Sequence, residues 1–509
     1  MALATTYSVA LVGADAHLVH VEVDIGHGVP GFRIVGLPNA SVREAEQRIR
    51  AALVRSKLEW PNSRKTANLA PGALRKEGTH FDLALAVAVA AADDKLKADP
   101  LKEWVLVGEL ALDGRLRRVR GVLPAALECR RAGKRGIVCP VENSPEAALV
   151  GDIEVVGVDS LVDCVGFFRG TWTPSSIPPL EQPPSSEPPD MSSVRGHPFA
   201  KRAVEVAAAG AHNLLLVGPP GSGKTMLAQR MPGILPRMSF DESLDVTRVH
   251  SVAGLLASGS ALVEERPFRA PHHHVSLAGL IGGGSGLPRP GELSLAHQGT
   301  LFLDELALYR REVLESLRAP LEDGVVRVAR SAGTVEFPCR ITLVGAMNPC
   351  PCGYLDDPKR QCRCADFQIE QYNSRLSGPL LDRMDLQASM ERLTSRELLG
   401  APEGESSDVI RGRVTAARET QSSRYDDPTL TNATAPRAVL DRHVEVSSSS
   451  RALLAHAIED RSLTGRGLDR VLRVARTVAD LEGEAAVGDQ HISEALGLRL
   501  QQPALRAVS

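Results

Sequence analysis

Four apolar residues, Leu214-Leu215-Leu216-Val217, run without a polar break into Gly218-Pro219-Pro220-Gly221-Ser222-Gly223-Lys224-Thr225, and the helix-forming Met226-Leu227-Ala228-Gln229-Arg230 follows. An unbroken apolar run bounded by glycines predicts a buried strand, and the residues after it predict a helix. Two further runs repeat the strand signal. Gly299-Thr300-Leu301-Phe302-Leu303 ends on Asp304-Glu305, and Ile341-Thr342-Leu343-Val344-Gly345 leads to Ala346-Met347-Asn348. Strand and helix patterns alternate from Asn213 to about Met390, which predicts an α/β core around a parallel sheet. Beyond Met390 strands disappear, and helical spacing over 394–400, 447–460, 467–481 and 489–500 predicts a helical bundle.

Upstream, residues 19–23 and 32–35 read as strands, and Ser41 with Glu44 reads as a capping box for a helix running toward Lys57. A second helix is expected over 81–91 and a strand over 104–108, so residues 1–170 form an α+β unit. Residues 171–193 are mostly Pro, Ser and Glu, a composition that cannot bury a core and favours extended geometry. The expected organisation is therefore 1–170, a linker at 171–193, a core at 194–392 and a helical lid at 393–509.

A chain of 509 residues fits about two to four domains. A formal net charge of -3 gives no global pull toward nucleic acid, so any basic surface must be local. The N-terminus has no positively charged leader, and no apolar stretch approaches the roughly 20 residues of a membrane span, so a cytoplasmic protein is expected. Of the 8 cysteines, Cys129, Cys139, Cys164 and Cys339 are scattered, as thiols of a reducing compartment are. The other four are packed into one short segment.

The glycine loop at 218–225, between a strand and a helix, is a P-loop. Its backbone N–H groups can turn around a phosphate chain, Lys224 can reach the outer phosphates, and Thr225 offers a hydroxyl to Mg2+. The strand ending in Asp304-Glu305 has the Walker B pattern, with Asp304 placed to hold Mg2+ and Glu305 to polarise the attacking water. ATP and Mg2+ are thus the expected ligands, and hydrolysis the expected reaction. Asn348, at a strand tip, is a candidate sensor of the γ phosphate; capping the following turn is the alternative. Arg383 and Arg466 are candidates to stabilise charge on the phosphate, and both also fit an ordinary surface arginine.

Residues 324–337 alternate, turn at Gly333 and alternate again, which predicts a hairpin on which Arg327 and Arg330 can grip DNA phosphates without reading sequence. A solvated hairpin is the alternative. Arg115-Leu116-Arg117-Arg118-Val119-Arg120, with Arg130, Arg131, Lys134 and Arg135, makes a second basic patch. His272-His273-His274 invites a metal reading, but on an extended segment neighbouring side chains point to opposite faces, so the three are not expected to close on one ion. Cys350-Pro351-Cys352 and Cys362-Arg363-Cys364 are different. Four thiolates in one short loop suit structural zinc, Zn2+, although the C-x-C spacing is tighter than usual; free thiols or a redox pair are the alternative.

Taken together, these residues resemble the ComM (YifB) family of magnesium-chelatase-like AAA+ ATPases. The specific marks are Arg266-Pro267-Phe268-Arg269-Ala270-Pro271-His272-His273, Gly282-Gly283-Gly284, Pro288-Arg289-Pro290-Gly291-Glu292-Leu293-Ser294-Leu295-Ala296-His297, and Ser377-Gly378-Pro379 through Arg383. The resemblance implies that Arg383 is an arginine finger acting on a neighbouring subunit, that Arg466 senses nucleotide, and that the chain forms a homo-oligomeric ring, usually a hexamer. It also implies a DNA helicase that drives branch migration in recombination of incoming DNA during natural transformation. The N-terminal unit is similar to the proteolytic domain of Lon, with His80 at the place of the nucleophilic serine and Leu123 near that of the lysine, so peptidase chemistry is not expected. The alternative reading is a protein-remodelling or metal-insertion ATPase of the magnesium-chelatase type.

Overall fold

The computed structural model describes residues 2–177, 188–256, 262–284, 288–330, 333–355, 357, 360–394, 404–459 and 463–499. Residues 178–187 of the expected linker, and 395–400 of the helix expected over 394–400, lie outside the described residues.

The first sheet has seven strands in the order Gly31–Val35, Arg64–Ala70, Asp15–Gly26, Ala2–Val12, Trp104–Leu106, Gly136–Pro140 and Glu154–Val158. The three strands at 2–12, 15–26 and 64–70 pair antiparallel, whereas 104–106, 136–140 and 154–158 run parallel. Asp82–Ala92 packs against this sheet with all eleven residues buried, as a helix of Leu, Ala and Val on every face must be. The strand Ala2–Val12 has no counterpart in the sequence reading. It alternates weakly because both faces of the sheet are covered along much of its length.

The expected capping box at Ser41 is corrected. Asn39 is the N-cap, its side chain accepting from the Val42 N–H at 3.0 Å, while the Ser41 hydroxyl donates to Asn39 Oδ1 at 2.7 Å. The carboxamide reaches the open N–H groups first, and the chain forms a short Ala40–Arg43 turn before the longer helix Ala45–Arg55.

The second sheet is parallel throughout, in the order Phe268–Arg269, Thr300–Leu303, Thr342–Met347, Leu214–Val217 and Leu386–Ser389. Leu214, Leu215 and Leu216 are fully buried in an interior strand, which is why the run carries no polar residue. Because the strands are parallel, everything that follows their carboxyl ends gathers at one edge. Helices Ser407–Tyr425 and Gly465–Leu481 pack on Pro198–Gly210 and share one apolar core with the sheet. Asp480 is buried among Arg424, Arg476 and Asn432, joining the two long helices by charge as well as by apolar contact.

The two sheets meet through Phe240–Ala253, which packs on Val122–Arg131. The Gly121 N–H donates to Ser251 O at 3.3 Å, Arg248 pairs with Asp15 at 2.8 Å, and Arg118 donates to Leu256 O at 2.7 Å. Among the described residues, no helix is long and apolar enough to cross a membrane.

Candidate functional site

At the carboxyl edge of the parallel sheet, Val217 passes into the glycine loop and Lys224 opens the helix Lys224–Ala228. Gly221 and Gly223 have φ of +78° and +91°, so residues with a Cβ would be strained at both positions. At Gly218 an added Cβ would lie 2.2 Å from Met390 O, so the loop also depends on close backbone approach. Lys224 Nζ donates to Gly218 O at 2.7 Å, Pro219 O at 3.0 Å and Asn348 Oδ1 at 3.2 Å. Burial pushes its ammonium down to about 8, against the opposing pull of Asp304 and Glu305. Ser222 Oγ is buried and has no hydrogen-bond partner among the described residues, a polar atom left for a ligand to satisfy.

The Thr225 hydroxyl donates to Asp304 Oδ2 at 2.7 Å, which brings together the two groups read as Mg2+ ligands. Asp304 Oδ1 accepts the Glu305 N–H at 2.9 Å. Glu305 adopts φ +51°, a left-handed conformation uncommon outside glycine, and this turns its half-exposed carboxylate away from the strand. Of the residues read from sequence, Lys224 is thus hydrogen-bonded to Gly218, Pro219 and Asn348, and Asp304 to Thr225 and the Glu305 N–H, the two groups forming one network through the adjacent Lys224 and Thr225.

His273 was missed as a neighbour of this site. Its Nδ1 lies 3.5 Å from Glu305 Oε2. The segment that carries it follows Phe268–Arg269, which runs parallel to the Asp304 strand, and the Tyr309 hydroxyl pins it by donating to Pro271 O at 2.6 Å. The expectation that His272, His273 and His274 lie on an extended segment is corrected. The His272 carbonyl accepts the Val275 N–H at 2.8 Å, so the three occupy a turn, and one ring nitrogen from each lies within 4.8 Å of the others.

The cysteine loop follows Asn348 directly. Sγ separations are 3.4 Å for Cys350 and Cys352, 3.7 Å for Cys350 and Cys362, and 3.6 Å for Cys352 and Cys362, and Cys364 completes a set within 4.8 Å. Tetrahedral zinc with bonds of about 2.3 Å sets its sulfurs about 3.8 Å apart, so the four thiols fit the ion. Burial works against ionising Cys352, but N–H groups of Arg363 and Tyr354 bring it down to about 6. Gly353, at φ +81°, touches the P-loop: an added Cβ there would lie 2.5 Å from Pro220 Cδ.

Arg383 and Arg466 stand apart from this network. Arg383 is 7% exposed, donates to Arg318 O at 3.1 Å and Pro379 O at 2.8 Å, and pairs with Glu322. Arg466 is exposed in the first turn of Gly465–Leu481. On the hairpin Val325–Arg330 and Gly333–Pro338, Arg327 pairs with Glu336 at 2.8 Å and with Asp323 at 2.5 Å. The expected turn at Gly333 is corrected: Gly333 pairs with Arg330 as the first residue of the returning strand, and residues 331–332 lie outside the described residues. Arg330 closes its strand, and its side chain is likewise outside the description.

In the N-terminal unit, His80 is buried with Nε2 2.8 Å from Val9 O, and burial lowers its pKa. It borders a cavity of about 750 Å³ between the two sheets, lined also by Thr79, Glu109, Arg118 and Arg289. Leu123 is fully buried in apolar surroundings.

Three family models match the chain: magnesium chelatase, subunit ChlI, over residues 190–398; subunit ChlI of Mg-chelatase over 21–143; and the ChlI C-terminal region over 404–499. Competence protein ComM of Haemophilus influenzae is 40% identical over 515 residues, covering 100% of both chains. YifB of Escherichia coli is 39% identical, with 98% of this chain and 97% of that protein covered. The magnesium-chelatase 38 kDa subunit of Cereibacter sphaeroides is 24% identical over 59% of this chain and 88% of its own. With a glycine loop, paired acids and a polar strand tip on one edge of a parallel sheet, and with likeness of this extent along its whole length, the chain belongs to the ComM/YifB family of magnesium-chelatase-like AAA+ ATPases.

Proposed function

We propose that this protein is a ring-forming ATPase that moves on DNA and drives branch migration when incoming DNA recombines. The observation that carries the reading is the junction of Lys224, Asn348, Thr225 and Asp304, with Glu305 beside it, at one sheet edge. In this reading Lys224 and the loop N–H groups hold the phosphates, and Asn348 shares the lysine's attention with the γ phosphate. Glu305 orients water and accepts its proton. Bound Mg2+ would supply charge neutralisation between the outer phosphates, held by Thr225 and Asp304.

The DNA half of the proposal draws on the competence protein ComM, which matches end to end. Arg327 and Arg330 on the hairpin contact phosphates, a grip suited to travel over any sequence. Arg383 serves the ATP of a neighbouring subunit after leaving Glu322, and Arg466 senses nucleotide from the lid formed by the C-terminal helices. The ring is a hexamer, the cysteine loop holds structural zinc against the P-loop, and the Lon-like N-terminal domain serves as a scaffold without peptidase activity.

The test is ATP turnover with and without branched and single-stranded DNA, beside strand-exchange assays and Glu305→Gln. DNA stimulation with strand movement, both abolished in the variant, is the expected result. Turnover indifferent to DNA, with no strands exchanged, overturns the DNA motor and favours protein remodelling or metal insertion.

A further inference from the structure

We propose that His272, His273 and His274, together with the carboxylate of Glu305, form a binding site for a transition-metal ion of the Zn2+ class, and that occupancy of this site withholds Glu305 from hydrolysis. The second half rests on the reading of Glu305 given above; the first half does not.

The geometry begins with the turn. Adjacent histidines on a strand diverge, but closure of the Val275 N–H onto His272 O folds all three imidazoles to one side. Their ring centroids lie 4.1, 4.3 and 5.1 Å apart. Three imidazoles on one tetrahedral ion bring their centroids to about 5 Å, because each ring centre stands about 3 Å from a metal bound at about 2.0 Å. One nitrogen from each ring lies within 4.8 Å of the others, and ring rotation closes the remaining gap.

Glu305 stands beside one of the three imidazoles but outside the set of donors that lie within 4.8 Å of one another, so its carboxylate swings inward to become the fourth ligand. Glu305 Oε2 lies 3.5 Å from His273 Nδ1, the spacing of two donors that share one tetrahedral ion. His272 and His274 are exposed and His273 is partly so, which leaves a path for an ion to enter. The Tyr309 hydroxyl, by holding Pro271 O at 2.6 Å, fixes the approach of the turn to Glu305. The contact that must yield is slight: His272 Nδ1 accepts the His274 N–H at 3.3 Å, a long bond that a metal bond replaces.

Ligand chemistry separates this site from its two neighbours. Three imidazoles and one carboxylate select borderline ions such as Zn2+, Co2+ or Ni2+, whereas Thr225 and Asp304 offer the oxygen ligands that suit Mg2+. The cysteine loop offers thiolates alone. An ion on the histidine turn takes up the lone pair of Glu305 with which that residue would accept a proton from water, so binding lowers turnover and leaves the phosphate contacts of Lys224 in place.

The test uses the full-length protein carrying the zinc its cysteines retain. Co2+ is titrated and its visible absorption followed. The expected result is one further equivalent whose spectrum lacks the thiolate charge-transfer band, lost in His272→Ala/His274→Ala and weakened on the order of tenfold in Glu305→Gln. In parallel, Zn2+ at the concentration that fills the site lowers kcat about tenfold or more with KM for ATP nearly unchanged, and the double histidine variant is insensitive. No further equivalent, or the same binding in the double variant, overturns the site. Binding that leaves kcat untouched overturns the withholding of Glu305. Full turnover by metal-free Glu305→Gln instead overturns the hydrolytic role of Glu305 while the cobalt spectrum still reports the site.

Discussion

Thr225 and Asp304, 79 positions apart in the chain, meet through a hydrogen bond of 2.7 Å from hydroxyl to carboxylate. The two meet because Asp304 directly follows its strand while the glycine loop after Val217 brings the first turn of the helix Lys224–Ala228 to the same edge of the parallel sheet. Thr225→Ala and Asp304→Asn should each raise the Mg2+ concentration needed for half-maximal turnover. Glu305→Gln should leave nucleotide binding intact and lower kcat by about 10² to 10⁴. Turnover and fluorescent-nucleotide binding, measured across a Mg2+ series, separate the two effects.

Lys224 predicts a pH dependence. Burial brings its pKa from 10.5 down to about 8 in the nucleotide-free protein. Below pH 8 the folded and unfolded chains both hold the proton. From about pH 8 to 10.5 only the unfolded chain does, so the stability of the nucleotide-free protein should gain from this group as pH rises across that window. ATP affinity should move the other way, falling about tenfold from pH 7 to 9 as the charge is lost. Calorimetric titration with a non-hydrolysable analogue at the two pH values checks the sign.

The cysteine loop and the P-loop should fail together. Cys350→Ser should release the metal, read by elemental analysis, and raise KM for ATP, because Gly353 rests against Pro220. Gly353→Ala tests the same contact without touching a ligand. A Cβ 2.5 Å from Pro220 Cδ, at φ +81°, should cost about 1–3 kcal/mol and raise KM while the zinc remains.

Asp480 should prove indispensable to the C-terminal helices. It lies in the core between Arg424, at 2.8 Å, and Arg476, at 3.1 Å. Asp480→Ala leaves two guanidinium groups without their counter-charge and should destabilise the fold by about 3–5 kcal/mol. Chemical denaturation followed by circular dichroism provides the measurement.

Arg327 must exchange partners to hold DNA, since Glu336 and Asp323 already engage it. Arg327→Ala should weaken DNA binding equally across sequences and reduce the salt slope by about 1. Glu336→Gln should strengthen binding by freeing the guanidinium. Fluorescence anisotropy over a salt series distinguishes these outcomes from a purely structural hairpin.

The P-loop, the acidic pair and Asn348 were legible because each sits in a local signal: an unbroken apolar run, which only a strand buried on both faces tolerates, followed at once by its polar residues. The helices at 448–459 and 465–481 were legible from helical spacing and polar starts, although residues 471–480 of the second are all buried, polar ones included. The 19-residue helix Ser407–Tyr425 escaped notice because its buried residues are few and include Ser407 and Gln421. Asn39 and Ser41 are both residues that cap helices, two positions apart, and pattern alone does not rank them.

Local sequence thus marked the candidate residues for phosphate chemistry and the strands of a parallel sheet that they follow, since strand burial and glycine conformation are properties of neighbours in the chain. Only the tertiary structure decided that the His272–His274 segment turns toward Glu305, that Gly353 supports Pro220, and that Arg383 is held by Glu322. Those relationships depend on distances between residues far apart in the chain, which strand order and packing set and no local pattern encodes.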